Sequence, residues 1–370
     1  MTSERVVIVG AGDVSNRWFG PLSEEQVEVV AVADLQLESA RNQIARHGLA
    51  QAQAYEDFKE ALRRHEPDFV LDLTAPAAHV TVVCHALRAG YHVLGEKPMA
   101  TSMREARRMV ATSEKYGRTY MVGQSKRFDP HADRARRTLA SGRIGPLTTV
   151  NCDFYAGRHF DAARTSPNFR ELDPHVLLKD MAVHHFDLAR FLTGAEPLAV
   201  YTKEFNPPGS WFAGGAAATC LFEMSDGSLF TYRGSWCAEG METSWSGNWR
   251  LAGVEGTILW EQDAEPRGEI RKPGGDRAGL HWELEPLKME ESSMPFSSQR
   301  QVLREMLEFL RTGKTPQSEC HDNLNSLAMT YAAVESSLAY GVTRSVPIST
   351  QPVPSCSHSW NDTLTGSSGS

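Results

Sequence analysis

The chain has 370 residues, 41% hydrophobic and 23% charged, with a formal net charge of −8. That length supports two domains with separate cores. The negative balance argues against nucleic acid or an anionic membrane as a main partner, and no apolar run approaches the roughly 20 residues that span a bilayer.

From Val6 to about Ser141, short β-rich apolar runs alternate with amphipathic helical stretches. The runs are VVIVG from Val6, then 27–34, 69–76, 92–98 and 119–125; helices are predicted at 36–48 and 102–116, ending near Gly48 and Gly117. Near-continuous apolar strands suit burial on both faces of a parallel sheet. Residues 1–145 therefore read as an α/β, doubly wound parallel domain. After SGRIGP (141–146) the texture changes. Strands are predicted at 147–156, 198–205, 216–225, 228–238, 248–254 and 256–262. A strong helix at 175–193, closed by Gly194, interrupts them. Helices at 299–312 and 322–340 follow, the second with Asp322 as N-cap and Gly341 as stop. Residues 146–350 thus read as an α+β domain with a large, mostly antiparallel open sheet. Few helices remain to cover both faces of that sheet, so a homo-oligomer, dimer or tetramer, is expected. Residues 351–370 are rich in Ser, Thr, Gly and Pro and read as a disordered tail.

The six cysteines form no CxxC pair and sit mostly in apolar stretches. This suits reduced thiols and gives no metal-cluster signal. A strand already begun at Val6 leaves no space for a signal peptide. A cytoplasmic protein is expected.

GAGDVS (10–15) directly follows the first strand. Gly10 permits a tight turn, and Gly12 lets the backbone approach a pyrophosphate held by helix N-terminal amides. Asp13 and Val14 belong to the same cradle. Ser15 stands where a third glycine is usual. Asp34 ends the second strand at the spacing of a ribose-binding carboxylate. Its charge repels a 2′-phosphate, and the first arginine beyond it is Arg41, so NAD is favoured over NADP.

Two further clusters carry chemistry: GEKP (95–98) and DMAVHHFD (180–187). On an α-helix, Asp180, His184 and Asp187 share one face. Beside it Leu177, Met181, Leu188 and Leu192 form an apolar stripe, so the polar face is free to look into a cleft. His184 has the pKa of a general base and suits removal of a substrate hydroxyl proton; His185 points elsewhere and reads as structural. The Lys97 ammonium stabilises developing alkoxide charge. Glu96 orients the lysine or contacts the nicotinamide side. Asp180 binds a neighbouring substrate hydroxyl or positions Lys97. Adjacent histidines splay apart on a helix and no cysteine is close in sequence, so no metal site is expected.

With GAG, Asp34, EKP and DMAVHHFD in this order, the sequence resembles the glucose–fructose oxidoreductase/inositol dehydrogenase family (Gfo/Idh/MocA) from about residue 5 to 348. TAPAAH (74–79) resembles the family's loop along the cofactor, which implies cofactor roles for Thr74, Pro76 and His79. RFDPHADRARRTLASGRIGP (127–146) resembles its crossover, and 300–337 its closing helices. Membership implies a Rossmann domain followed by an oligomerising α/β domain, with Lys97, Asp180 and His184 at the nicotinamide. The sequence departs from the family at Ser15, at Ala182 in place of the DxGxH glycine, and at PHVLLKD before that motif.

The loop 156–175 carries Arg158, His159, Arg164, Asn168 and Arg170. With Arg127 these are expected substrate contacts; the alternative for any one is a solvated loop charge. Trp211, Trp236, Trp245 and Trp249 offer flat faces for a sugar ring, or core and interface packing. The reaction expected is reversible oxidation of a secondary alcohol of a small-molecule sugar, polyol, cyclitol or glycoside. The alternatives are a glycoside hydrolase working through transient oxidation by retained NAD, and a catalytically silent NAD-binding sensor. Net NADH formation separates the first two; intact Lys97 and His184 argue against the third.

Overall fold

The computed structural model describes residues 3–158, 171–278 and 281–348; Arg164, His159, Asn168, Arg170 and the tail lie outside them. The first half is a βα succession: β1 (Arg5–Val9), α1 (Asn16–Glu24), β2 (Glu28–Ala33), α2 (Leu37–Arg46), β3 (Gln53–Tyr55), α3 (Phe58–His65), β4 (Phe69–Asp72), α4 (Pro76–Arg88), β5 (His92–Glu96), α5 (Met103–Tyr116), β6 (Tyr120–Gly123) and α6 (Pro130–Ala140). Its six strands are all parallel, in the order β3-β2-β1-β4-β5-β6. Val6–Val9, Phe69–Asp72 and Tyr120–Gly123 are buried throughout, the apolar continuity that a doubly covered sheet demands. β3 and α3 had no sequence signal of their own; β3 is only three residues long.

The second half holds β7 (Leu147–Tyr155), α7 (Val183–Thr193), β8 (Pro197–Phe205), β9 (Ala217–Met224), β10 (Leu229–Ser235), β11 (Asn248–Gly253), β12 (Gly256–Trp260) and β13 (Arg267–Arg271). A small hairpin, β14 (Arg277–Ala278) with β15 (His281–Trp282), leads to β16 (Leu284–Pro286). Two helices follow, α8 (Ser298–Thr312) and α9 (Cys320–Leu338), then β17 (Arg344–Ser345). The nine-stranded sheet runs β16-β13-β12-β11-β7-β10-β9-β8-β17. It is antiparallel except where β10 lies parallel to β7. One face packs on α7 and α9; alternation in β8 and β9 turns Tyr201, Phe205 and Leu221 outward. Among the described residues no helix is long and apolar enough to cross a membrane.

Two details depart from the sequence reading. The first concerns the division at residue 145. Val302, Leu303, Met306 and Leu307 of α8 share one buried cluster with Ile8, Trp18, Leu22 and Leu71, so α8 belongs with the parallel sheet. In α9, Leu324 packs with the first domain and Ala328 to Val334 with the second. The chain thus crosses back to complete the first domain. The second concerns the start of α9. It begins two residues early, at Cys320, because Glu319 caps it by accepting the His321 N–H at 2.9 Å. Asp322, expected as the cap, instead pairs with Arg190 at 2.9 Å.

Candidate active site

The glycine turn leaves β1 at Gly10, whose φ is +100°. A Cβ there stands 2.6 Å from the Leu73 carbonyl carbon, so only glycine lets the turn close on β4. Gly12 is the opposite case: beyond its chain neighbours Ala11 and Asp13, nothing among the described residues lies within 4 Å of a Cβ built on it. The fold holds that space open in front of the turn Asp13–Ser15, which leads into α1. Ser15 is fully buried and its hydroxyl donates to the Gly12 carbonyl at 2.6 Å. A hydrogen bond thus does the closing that the third glycine usually permits. Asp34 accepts the Ala11 N–H at 2.7 Å and the Gln36 N–H at 2.8 Å, which fixes its carboxylate beside the same space. An open cradle, a helix N-terminus and a fixed carboxylate fit the pyrophosphate and ribose of a dinucleotide.

Behind the cradle, Thr74 donates its N–H and hydroxyl to buried Asp72 at 3.1 and 2.6 Å, and Pro76 opens α4. His79 differs from expectation. It is fully buried, with Nδ1 3.0 Å from the Pro98 carbonyl and Nε2 3.0 Å from the Thr74 carbonyl. Both ring nitrogens are committed to backbone, so His79 ties the loop after β4 to the loop after β5 and does not itself reach a cofactor.

The carboxyl end of β5 supplies the lysine. Glu96 turns inward and accepts from the Trp18 indole at 3.0 Å and from the Lys97 N–H at 3.2 Å. The Lys97 ammonium donates to the Asp180 carbonyl at 2.7 Å and to its Oδ1 at 3.0 Å. Asp180 lies in a stretch of π-helix, Leu177–Ala182, which runs into α7. The wider π turn alters the angular relation of Asp180 to the residues that follow, and such stretches concentrate at functional sites.

The three-residue face expected of a regular helix therefore divides. Asp180 meets Lys97, whereas Asp187 is buried and accepts from Arg127 Nε at 2.8 Å and from the Ser326 hydroxyl at 2.7 Å. Arg127 also donates to the Gln317 carbonyl at 2.8 Å and pairs with Asp322. Its guanidinium is consumed in this internal cluster, which corrects its expected role as a substrate contact. An Arg-Phe pair leading into a capped helix gives no sequence sign of that burial.

His184 is 7% exposed, and its Nδ1 has no hydrogen-bond partner among the described residues. Burial, then the positive charges of Lys97 and Lys126, hold the imidazole well below the usual histidine pKa, so it rests neutral and able to accept a proton. His185 is enclosed by Phe154, Tyr232 and Trp249, and burial pushes its pKa down to about 3; it is structural. Lys126 and Arg17, which the sequence reading passed over, both bear on His184. Arg158 stacks over Trp245 at 5.5 Å and faces Glu242 at 3.6 Å. Trp236 and Trp249 are core, and Trp245 is 46% exposed.

A dinucleotide cradle facing an ammonium–carboxylate pair and a neutral buried histidine defines a nucleotide-dependent oxidoreductase. Residues 4–124 match the family model described as the oxidoreductase family, NAD-binding Rossmann fold, and residues 132–259 match the GFO/IDH/MocA C-terminal domain. Together they cover more than half the chain, which belongs to the Gfo/Idh/MocA oxidoreductase family and carries its NAD-binding domain. The chain is 31% identical to the rhizopine catabolism protein MocA of Rhizobium meliloti, over 62% of this chain and 70% of that one. It is 28% identical to the D-apiose dehydrogenase of Paraburkholderia graminis, over 82% and 80% respectively. Among solved structures, an oxidoreductase from Agrobacterium radiobacter in complex with NAD+, L-tartaric acid and magnesium shares the fold. That match has a TM-score of 0.79 and 22% identity, covering 93% of this chain and 99% of that one.

Proposed function

We propose that the protein is an NAD-dependent dehydrogenase interconverting a secondary alcohol of a sugar, cyclitol or glycoside with the corresponding ketone. The observation that carries this is the pairing of Lys97 with Asp180, four residues before a neutral, buried His184 on which the Lys97 charge acts. NAD, when bound, supplies the hydride acceptor. His184 takes the hydroxyl proton as the carbon is oxidised by two electrons, and returns it in the reverse direction. Two of the three Lys97 ammonium hydrogens are held by Asp180; the third, without a partner among the described residues, would meet the substrate oxygen as negative charge grows there. Asp180 fixes the direction of that hydrogen. Gly10, Gly12, Asp13, Val14, Asp34, Thr74, Pro76 and Glu96 form the cofactor side, and Arg158 the outer substrate side. The D-apiose dehydrogenase relative supports a carbohydrate substrate. The reading includes a cytoplasmic location and a homo-oligomer formed through the outer face of the nine-stranded sheet.

The test is to incubate the protein and NAD with a panel of aldoses, uronates, inositols and glycosides while following reduced-nicotinamide absorbance. NADH should accumulate in step with ketone. Cleavage of a glycoside without accumulated NADH overturns the proposal in favour of hydrolysis through transient oxidation, and no reaction on any member overturns it as well.

A further inference from the structure

The carboxyl edge of the parallel sheet carries a second ammonium that the chemistry above does not use. Lys97 directly follows β5, and β6 is the neighbouring strand, with Gly123 paired to Glu96; Lys126 lies three residues beyond Gly123, in the turn that follows β6, where its charge bears on Lys97 and His184. The Lys126 residue is half-buried. Its ammonium has one hydrogen bond among the described residues, to the Ser246 hydroxyl at 3.5 Å, the outer limit for such a contact. Ser246 is itself buried and pinned: its N–H donates to the Ser244 hydroxyl at 3.2 Å and its carbonyl accepts the Trp249 indole at 2.7 Å. Beside it, a Cβ on Gly247 stands 3.4 Å from Cδ2 of the structural His185.

Among the described residues, the other lysines without an ion pair, Lys59, Lys115, Lys203 and Lys288, are exposed to water, unlike Lys126. Lys97, Lys179, Lys272 and Lys314 each have a carboxylate oxygen within 3.1 Å. Lys126 has no ion pair among the described residues. Asp129 and Asp263 act on it from a distance, and Asp129 gives an oxygen to the His131 N–H at 2.7 Å. An ammonium taken partly out of water is costly until an anion meets it. The glycine turn that would hold the dinucleotide phosphates follows β1, three strands from β6, a separation of about 14 Å within the sheet at about 4.8 Å per strand. A neutral polyol brings only hydroxyl groups, which leave the charge unmatched.

We propose that Lys126 receives a carboxylate of the substrate, so that the site takes a polyhydroxylated acid in preference to the neutral sugar of the same ring configuration. This rests on the dehydrogenase reading for the substrate's position between Lys97 and His184.

Calorimetric titration of the NADH-loaded protein, which cannot oxidise them, with D-galacturonate against D-galactose and D-glucuronate against D-glucose tests the idea. In at least one pair the acid should bind about 30-fold or more tightly than its neutral partner. Lys126→Gln should bring that ratio near one, and Lys126→Arg should keep most of it. Equal affinity in both pairs, no binding of either acid, or a preference that survives Lys126→Gln overturns the carboxylate receptor. Turnover with NAD is read separately. An acid that binds through Lys126 retains the receptor whether or not it is oxidised, and the dehydrogenase reading is overturned only if no member of the wider panel reacts.

Discussion

In the proposed reaction Lys97 acts twice, through the hydrogen it would offer the substrate and through the field it places on His184. Lys97→Met should lower kcat by about 10²–10³ while leaving NAD affinity nearly intact, the usual cost of one preorganised charge stabiliser. His184→Ala should lose about 10²–10⁴. The two losses should combine less than additively in single-turnover rates, because both groups act on one proton and one charge. A pH–rate profile adds a signature. With its pKa depressed, His184 stays unprotonated below pH 6.5, so the acid limb of kcat/KM lies lower than an ordinary histidine gives. Removing the Lys97 charge favours the imidazolium, so in Lys97→Met that limb should move to higher pH. The two glycines of the cradle also separate cleanly. Gly10→Ala forces a Cβ into the Leu73 backbone and should lower both melting temperature and NAD affinity. Gly12→Ala meets nothing among the described residues beyond its chain neighbours, so it should melt as wild type and lose NAD affinity alone. Asp34→Ser with Leu35→Arg should shift preference toward NADP, since Leu35 is 87% exposed and an arginine there is free to meet a 2′-phosphate. Calorimetric titration of both cofactors checks the last two variants.

At the scale of elements, α7 is held by charge as well as by packing. Arg127, Asp187, Asp322 and Arg190 interlock the segment after β6 with α7 and α9. Removing one partner of a buried pair leaves an uncompensated charge, so Arg127→Met should cost about 3–5 kcal/mol in urea unfolding, and pairing it with Asp187→Leu should restore part of that. Much of the element order was legible in the sequence, because apolar periodicity and terminal glycines report directly on burial and on helix ends: α8 was expected at 299–312 and runs from Ser298 to Thr312. What escaped is what periodicity cannot carry. The π stretch Leu177–Ala182 adds one residue to each hydrogen-bonded loop, i→i+5 in place of i→i+4, a shift that apolar periodicity does not report. Whether an arginine faces a cleft or an internal carboxylate depends on residues 60 and 195 positions away, Asp187 and Asp322 for Arg127. The motif lysine and histidine were recognisable because their types and order carry the chemistry; Lys126 carries no motif and becomes visible only beside β5.

For the molecule as a whole, the outer face of the nine-stranded sheet is the largest consequence of having helices on one side. Tyr201 and Leu221 sit opposite one another in register on β8 and β9, with Phe205 and Leu229 also exposed among the polar Lys203, Thr219 and Glu223, a mixed face on which the proposed association would rest. Tyr201→Glu with Leu221→Lys should convert a dimer or larger species to a 40.9 kDa monomer in light scattering; a wild type already of that mass at micromolar concentration contradicts the proposed oligomer.

The return of α8 to the first domain also orders events during synthesis. The parallel sheet has all six strands once Gly123 has left the ribosome, yet the apolar face formed around Ile8, Trp18 and Leu71 waits for Val302 and Met306. At about 5–20 residues per second that delay is roughly 10–35 s. During that interval the nascent chain carries a finished sheet with a bare flank, an opening for chaperones that closes only when the last third of the polypeptide is made.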